Sequence, residues 1–213
     1  MLNNKGTLYS YVLTRDYGFA PNPFGGYCTL ATCKPEIRKN ASVGDWVIGT
    51  GSNNQKVKMG NKLLYAMQVT EILGFEEYWN DQRFQYKKPI MNGSKKQKYG
   101  DNIYRFDQQE QKFFQIDSHH SLPNGQVNLM NLERDTKGKK VLISTLFWYF
   151  GEEAPQMPVE LSEEFVKKGV GHKKIKNELR MNDFIEWIST FESGYIARPW
   201  LFKKEFERYD GRT

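Results

Sequence analysis

The chain has 213 residues, of which 15% are aromatic, and it carries 31 basic and 25 acidic residues for a net charge of +6. This length suits one domain with a helical appendage, and two cysteines, Cys28 and Cys33, do not make a disulfide framework or, alone, a zinc site. No stretch reaches the roughly 18 apolar residues of a membrane span, and the first residues lack the apolar segment of a signal peptide, so we expect a cytoplasmic protein without a membrane partner.

Apolar runs rich in aromatic and β-branched residues predict a series of short strands. In chain order they lie at 8–14, 26–31, 46–50, 62–73, 103–106, 112–116 and 140–145, and 147–150 is a further strongly apolar element. Pro35 predicts the start of a short helical turn, because its missing N–H is not needed at the first helical position. Apolar residues near helical spacing predict a further helix from about 173 to 192.

Short strands combined with a few helices indicate an α+β fold, which we expect to be a small mixed β-barrel with peripheral helices. The sequence predicts a single domain, with its core at about 7–150 and a C-terminal helical extension at about 160–205. The basic stretch 87–102 is poor in apolar residues and predicts a mobile loop.

The stretch from Tyr11 to Ser52 reads YVLTRDYGFAPNPFGGYCTLATCKPEIRKNASVGDWVIGTGS, and LLYAMQVTEIL follows soon after it. Its order of strand, shaped loop, short helix, Gly-Asp turn and apolar strand resembles the PUA-like superfamily, which includes the PUA, ASCH, EVE and YTH domains. The strings DYGFAPNPFGGYCTLATCKP and GDWVIGTGS are similar to the family called nucleotide modification associated domain 2, most densely over residues 9–75. The resemblance implies a PUA-like fold that holds a nucleotide or a nucleic-acid base. The family is named for genomic association with nucleic-acid modification, so its name implies no particular reaction.

Polar and aromatic side chains that suit base recognition occur in the Asp16–Gly26 loop and at the end of the Trp46–Ser52 strand, where we predict a pocket. The candidate base-binding residues are Asp16, Asn22, Trp46, Thr50, Ser52 and Trp79. The amide of Asn22 can donate and accept hydrogen bonds, as reading a base edge requires, and the two tryptophans offer rings for stacking. A purely structural role stays open for each of these residues. The loop residues could bond their own backbone, the hydroxyl residues could end a strand, and the tryptophans could pack in the core.

Basic side chains near these segments are candidates for phosphate contacts. Lys34 and Arg38 are four residues apart on the short helix and would share a face. Lys95, Lys96 and Lys98 belong to the basic stretch. The alternative for all five is a solvated surface.

The three histidines, His119, His120 and His172, form no metal-binding motif with the two cysteines, so the sequence predicts no metal and no cofactor. No P-loop or dinucleotide-binding glycine pattern is present either.

We therefore expect a module that binds a nucleotide, a modified nucleobase or a nucleic acid, in the context of DNA or RNA modification or phage defence. A base- or nucleotide-modifying enzyme is the first alternative, for which Asp16, Cys33 and His119 could be recruited, although the sequence reveals no assembled triad. A factor that sequesters a nucleotide signal or binds another protein is the second. The ligand, the catalytic residues and the oligomeric state are left open by the sequence.

Overall fold

A computed structural model describes residues 6–52 and 59–211. The strands are β1 (Leu8–Leu13), β2 (Cys28–Leu30), β3 (Trp46–Gly51), β4 (Leu63–Gln68), β5 (Glu71–Gly74), β6 (Tyr104–Asp107), β7 (Lys112–Gln115), β8 (Lys140–Ser144), β9 (Leu146–Tyr149), β10 (His172–Ile175) and β11 (Gly194–Tyr195). The α-helices are α1 (Pro35–Asn40), α2 (Phe75–Asn80), α3 (Lys95–Lys98), α4 (Leu129–Thr136), α5 (Val159–Phe165) and α6 (Glu178–Ile188). Short 3-10 helices occupy Gln82–Lys87 and Gly151–Glu153.

The chain divides into two compact units. The first consists of Met1–Asp16, Ala41–Thr70 and Ser144–Leu201, and the second of Tyr17–Asn40, Glu71–Ile143 and Phe202–Thr213. In the described part of the chain, no helix combines the length and the apolar character that a membrane crossing requires.

The first unit is built on a six-stranded sheet with the strand order β10-β1-β3-β4-β9-β11. β1 runs parallel to β3, and β4 runs antiparallel to both β3 and β9. Every residue of β3 and β4 is buried, which is typical of strands that are covered on both faces. The ring of Trp46 stacks on that of Trp148 with centroids 6.0 Å apart, and Phe184 of α6 contacts it edge-on.

The second unit contains a three-stranded sheet, β2-β8-β5, and the β6–β7 hairpin. Its core is largely aromatic, and Tyr78, Phe84, Tyr99 and Tyr104 are all at most 1% exposed. Helices α1 to α4 belong to this unit, so it holds the segment around Cys33.

The expected mixture of helices and strands is confirmed, whereas a closed barrel is not found among the described strands, which form three open sheets. The long strand expected at 62–73 divides into β4 and β5, because β4 pairs with β3 and β9 whereas β5 pairs with β8 in a different sheet. The helix expected at 173–192 is shorter, since its first residues form β10.

The basic stretch 87–102 is folded rather than a loop without structure. Ser94 caps α3 by accepting a hydrogen bond from the Gln97 backbone, and the Gln97 side chain in turn accepts one from the Ser94 backbone. Lys87, at the start of the stretch, is 1% exposed. Lysine is rarely buried to this extent unless its ammonium group has partners.

The ammonium group of Lys87 ties the Gly- and Pro-rich loop to β2. Its Nζ donates to the backbone oxygen and the Oδ1 of Asn22 at 2.9 and 2.7 Å, to the Tyr27 carbonyl at 3.0 Å and to Thr29 Oγ1 at 3.0 Å. Thr29 in turn donates to Asp101 at 2.7 Å. Burial lowers the pKa of Lys87 to about 8, although the Asp101 carboxylate opposes this shift.

Replacing Lys87 by Met should lower the free energy of unfolding by about 3–5 kcal/mol, because it leaves buried carbonyl groups and the Asp101 carboxylate without their cation. Urea unfolding monitored by circular dichroism measures the loss. Lys88→Met is the matched control, since the Lys88 ammonium lies 3.8 Å from the Trp79 ring centroid and that contact is worth about 1 kcal/mol or less. Equal losses in the two variants would contradict the assignment of Lys87 to a stabilising network.

Candidate active site

The turn between β2 and α1 places Cys33 in an uncommon backbone conformation. Cys33 has φ +57° and Lys34 has φ +40°, and two consecutive non-glycine residues in this left-handed region are rare. Strained backbone of this kind persists only where the surroundings fix it, and it occurs often at functional sites. The side chain of Cys33 is partly exposed, whereas Cys28 is fully buried.

Arg38 of α1 fixes this turn from the interior. Its guanidinium donates from Nε to the Cys33 carbonyl at 2.8 Å, from Nη1 to the Lys140 carbonyl at 2.8 Å, and from Nη2 to the Asp135 carbonyl. Burial lowers the pKa of Arg38, while Asp135 acts in the opposite direction. A Cβ at Gly138 would lie 2.7 Å from the Arg38 guanidinium, so a glycine is needed there to leave it room.

The carboxylate of Asp135, on α4, collects four hydrogen bonds while being 0% exposed. Its Oδ2 accepts from His120 Nδ1 at 2.7 Å and from Tyr104 Oη at 2.9 Å. Its Oδ1 accepts from the Cys33 backbone N–H at 3.1 Å and from Arg134 Nε at 3.3 Å. Burial alone would raise the pKa of Asp135, but the charge and hydrogen bond of His120, followed by the arginines, lower it to about 2.

The imidazole of His120 lies between this carboxylate and the Cys33 thiol. Nδ1 faces Asp135 and Nε2 lies 3.9 Å from Cys33 Sγ. Burial opposes a charge on the ring, but Asp135 and then Cys33 outweigh it and raise the pKa of His120 to about 9. The raised pKa favours the imidazolium form of His120, in which both ring nitrogens donate.

Cys33, His120 and Asp135 thus form a series of thiol, imidazole and carboxylate. A nucleophile within reach of an imidazole that a third group orients is the general arrangement for nucleophilic catalysis. The 3.9 Å sulfur–nitrogen distance is long for a hydrogen bond, as is common when no substrate is bound. The series can hold a thiolate beside an imidazolium and pass a proton to or from a bound molecule.

A metal ion is the alternative use of these three side chains, whose potential ligand atoms all lie within 4.8 Å of one another. The thiol faces Nε2, however, while the carboxylate bonds Nδ1 on the other side of the ring. Coordination by all three side chains would have to break the carboxylate–imidazole hydrogen bond, because one ion cannot bind both nitrogens, whereas an ion bound by the thiol and Nε2 alone would leave that hydrogen bond in place. The geometry fits proton transfer better than coordination, and the absence of a metal and a cofactor stays a prediction.

The C-terminal segment 206–210 lies against the two adjacent histidines. Tyr209 donates its backbone N–H to the His119 carbonyl at 2.7 Å, and His119 Nδ1 bonds the Glu207 carbonyl at 2.6 Å. The ring of Tyr209 lies 5.4 Å from that of His120. Of the two histidines it is therefore His120, rather than the predicted His119, that faces Cys33.

Four of the predicted base-binding residues belong to the first unit. Asp16 is 2% exposed and accepts from the Tyr149 hydroxyl and from the Trp200 backbone N–H. Thr50 is buried and donates to the Tyr11 carbonyl at 3.3 Å. Trp46 lies in the core described above, and Ser52 is half-buried.

The other two predicted base-binding residues, Asn22 and Trp79, belong to the second unit. Asn22 is 1% exposed, and its amide donates to the Tyr99 carbonyl at 3.1 Å and accepts from Lys87 at 2.7 Å. Trp79 is half-buried with the Lys88 ammonium over its ring. These contacts are made within the chain, and the base-binding role of all six residues stays a prediction.

The predicted phosphate-binding residues all lie in the second unit but not in one place. Arg38 is buried behind Cys33, and Lys34 is half-buried beside it. Lys95 donates to the carbonyls of Phe202 and Lys204 at 2.7 Å each. Lys96 and Lys98 lie 4.9 and 5.9 Å from the rings of Phe24 and Phe206.

Sequence reasoning missed His120, Asp135, Tyr104 and Arg134 as partners of Cys33. His120 lies in the loop after β7, Arg134 and Asp135 lie on α4, and Tyr104 lies on β6. Because these elements are far apart in the sequence, no short motif connects the four residues. The one available signal was the polar run DSHHS together with the unusual turn residues around Cys33.

The family model described as nucleotide modification associated domain 2 matches residues 5–206. Cys33, His120 and Asp135 all lie within the matched range. Comparison with curated proteins and with solved structures gives no match.

The pKa of His120 makes stability depend on pH in a defined direction. Its value of about 9 lies above the ordinary value of 6.5, so the stabilisation is complete below about pH 6.5 and is lost as the pH rises through 9. We expect the difference in unfolding free energy between wild type and His120→Gln, on the order of 3 kcal/mol at pH 6, to shrink steadily towards pH 9.5. Urea titrations across this range measure it, and a difference that is independent of pH would refute the ion pair.

Proposed function

This chain belongs to the family described as nucleotide modification associated domain 2, and from that premise we propose that it is a cysteine-dependent enzyme that modifies a nucleotide or a nucleobase. In the proposal Cys33 is the nucleophile, His120 carries the proton and Asp135 orients the imidazole. The observation that supports it is the Cys33–His120–Asp135 series, in which the imidazole lies 3.9 Å from the sulfur and 2.7 Å from the carboxylate.

The proposed first step is addition of the Cys33 sulfur to an electrophilic, unsaturated carbon of the base. The S–C bond forms as the electron pair of the ring C=C or C=N bond moves onto the neighbouring atom, which takes the proton from the His120 imidazolium. While the sulfur is attached, the ring carbon next to the S–C bond is nucleophilic and can bond an electrophilic group supplied by a second substrate, whose leaving group departs with the electron pair. Loss of the ring hydrogen as a proton and expulsion of the sulfur then restore the ring double bond and the thiolate. The step consumes no oxidant or reductant, and an imidazolium beside the sulfur is suited to both halves of it.

A binding module that reads a base, including a modified one, is the second candidate. It is favoured by basic side chains that lie over aromatic rings in the second unit, such as Lys88 over Trp79 and Lys96 over Phe24. Interleaved cations and rings are typical of surfaces that bind single-stranded nucleic acid. This candidate assigns no role to Cys33, which separates it from the first.

Cys33 should be the reactive thiol of the protein. We expect iodoacetamide to alkylate Cys33 well before Cys28, because Cys28 is 0% exposed and burial raises the pKa of its thiol. His120→Ala should slow the alkylation of Cys33 at pH 7, while Cys28→Ala should leave it unchanged. Peptide mapping by mass spectrometry gives both rates. Equal reactivity of the two thiols would argue against an activated nucleophile.

Conversion of nucleotides tests the function itself. Purified protein is incubated with nucleotides, DNA and RNA, and the nucleosides obtained by digestion are compared by mass spectrometry. Cys33→Ala should abolish any conversion and His120→Ala should slow it about 10²-fold or more, whereas Cys28→Ala should retain it. Conversion that survives in Cys33→Ala would refute the proposed mechanism. Binding of a base without any conversion, equal in wild type and Cys33→Ala, would favour the binding module.

A further inference from the structure

We infer that the Cys33 site binds its substrate through a phosphate group and that Arg134 is the principal phosphate ligand. This inference rests on the proposed function, since it names the class of molecule that the thiol would meet. It selects phosphorylated nucleotides, free or within a strand, over nucleosides and free bases.

Positively charged side chains outnumber the negatively charged groups around Cys33, which favours the binding of an anion. The cations that act electrostatically on Cys33 or Asp135 are Lys34, Arg38, Arg134 and His120. The Asp135 carboxylate and a Cys33 thiolate would offset two of these four charges. Positive potential concentrated at a partly buried site attracts an anionic ligand and raises its local concentration.

Arg134 has the geometry of a ligand that is already positioned. Its Nε bonds Asp135 Oδ1, the same oxygen that accepts the Cys33 backbone N–H, and its Nη2 bonds Asn131 Oδ1 at 2.7 Å. Its guanidinium also lies over the Tyr209 ring, with the carbon 5.3 Å from the ring centroid. Among the described residues Nη1 has no hydrogen-bond partner, and the side chain is 31% exposed.

Two nitrogens on one edge of the guanidinium, Nε and Nη2, therefore fix it, while Nη1 remains to bind a ligand. A planar, always charged guanidinium suits the oxygens of a phosphate, and fixing it in advance reduces the entropy lost on binding. Arg134 Nε and the Cys33 backbone N–H bond the same carboxylate oxygen, which makes the two residues neighbours, and the inference places the phosphate of the substrate on Nη1. Lys34, half-buried next to Cys33, adds a second positive charge there.

The first test compares two alkylating reagents of similar size, anionic iodoacetate and neutral iodoacetamide, on Cys33. The ratio of the two rates should be higher in the protein than for free cysteine, and Arg134→Gln should lower it about threefold to tenfold. Lys137→Gln removes an exposed positive charge three residues further along and is the matched control, which should change the ratio by less than about twofold. A ratio that Arg134→Gln leaves unchanged in the folded variant would overturn the inference.

The second test uses the unchanged protein, so it does not depend on whether Arg134→Gln folds. At equal ionic strength a nucleoside monophosphate and inorganic phosphate should raise the melting temperature and slow the alkylation of Cys33, while the matching nucleoside should do neither. Equal effects of nucleoside and monophosphate would overturn the inference. A short oligonucleotide without terminal phosphate distinguishes the source: protection by it indicates a strand, and protection by the monophosphate alone indicates a free nucleotide.

These outcomes separate the inference from the proposed function. A reactive Cys33 that phosphate does not protect would contradict only the phosphate site. Nucleotide conversion that continues in Cys33→Ala would contradict the proposed function, while phosphate-dependent stabilisation that is lost in Arg134→Gln would still support an anion site at Arg134.

Discussion

The negative charge of a completely buried carboxylate must be stabilised by hydrogen-bond donors and positive charges around it. At Asp135 this requirement organises the residues around Cys33. Leaving an ion of this kind without partners in a protein interior costs several kcal/mol, so each of its donors is held in place by a large penalty. The donors come from the turn before α1, from β6, from the loop after β7 and from α4 itself. One charge therefore fixes the backbone of Cys33, the imidazole that faces its thiol and the guanidinium of Arg134.

A second buried charge fixes the other end of β2 in the same way. Lys87 holds the backbone and side chain of Asn22 and the hydroxyl of Thr29, and Asp101 completes the network. β2 is only three residues long, and these polar contacts add to its ladder. The turn at Cys33 follows shortly after it, so the Lys87 network supports the segment that carries Cys33.

The sequence predicted elements that depend on local patterns and missed features that depend on distant contacts. β1, β3, α1 and the β6–β7 hairpin follow from apolar runs and from Pro35 at a helix start, whereas the division of 62–73 depends on the pairing of β5 with the distant strand β8. Likewise Cys33 could be recognised as a possible nucleophile, but its partner could not. Whether His119 or His120 faces the thiol is decided by Asp135 on one side and by the Glu207 carbonyl on the other.

The raised pKa of His120 also constrains the order of events at the site. Because Asp135 raises the pKa of His120, the ring keeps its proton over a wider pH range than an ordinary imidazole, which favours a role as proton donor over that of a general base. In the proposed mechanism it delivers this proton to the atom that becomes negative when sulfur adds to the substrate. This order suits covalent addition better than base-assisted hydrolysis. Since Asp135 bonds both His120 and Arg134, the same carboxylate would couple the protonation of the ring to the binding of the proposed phosphate group.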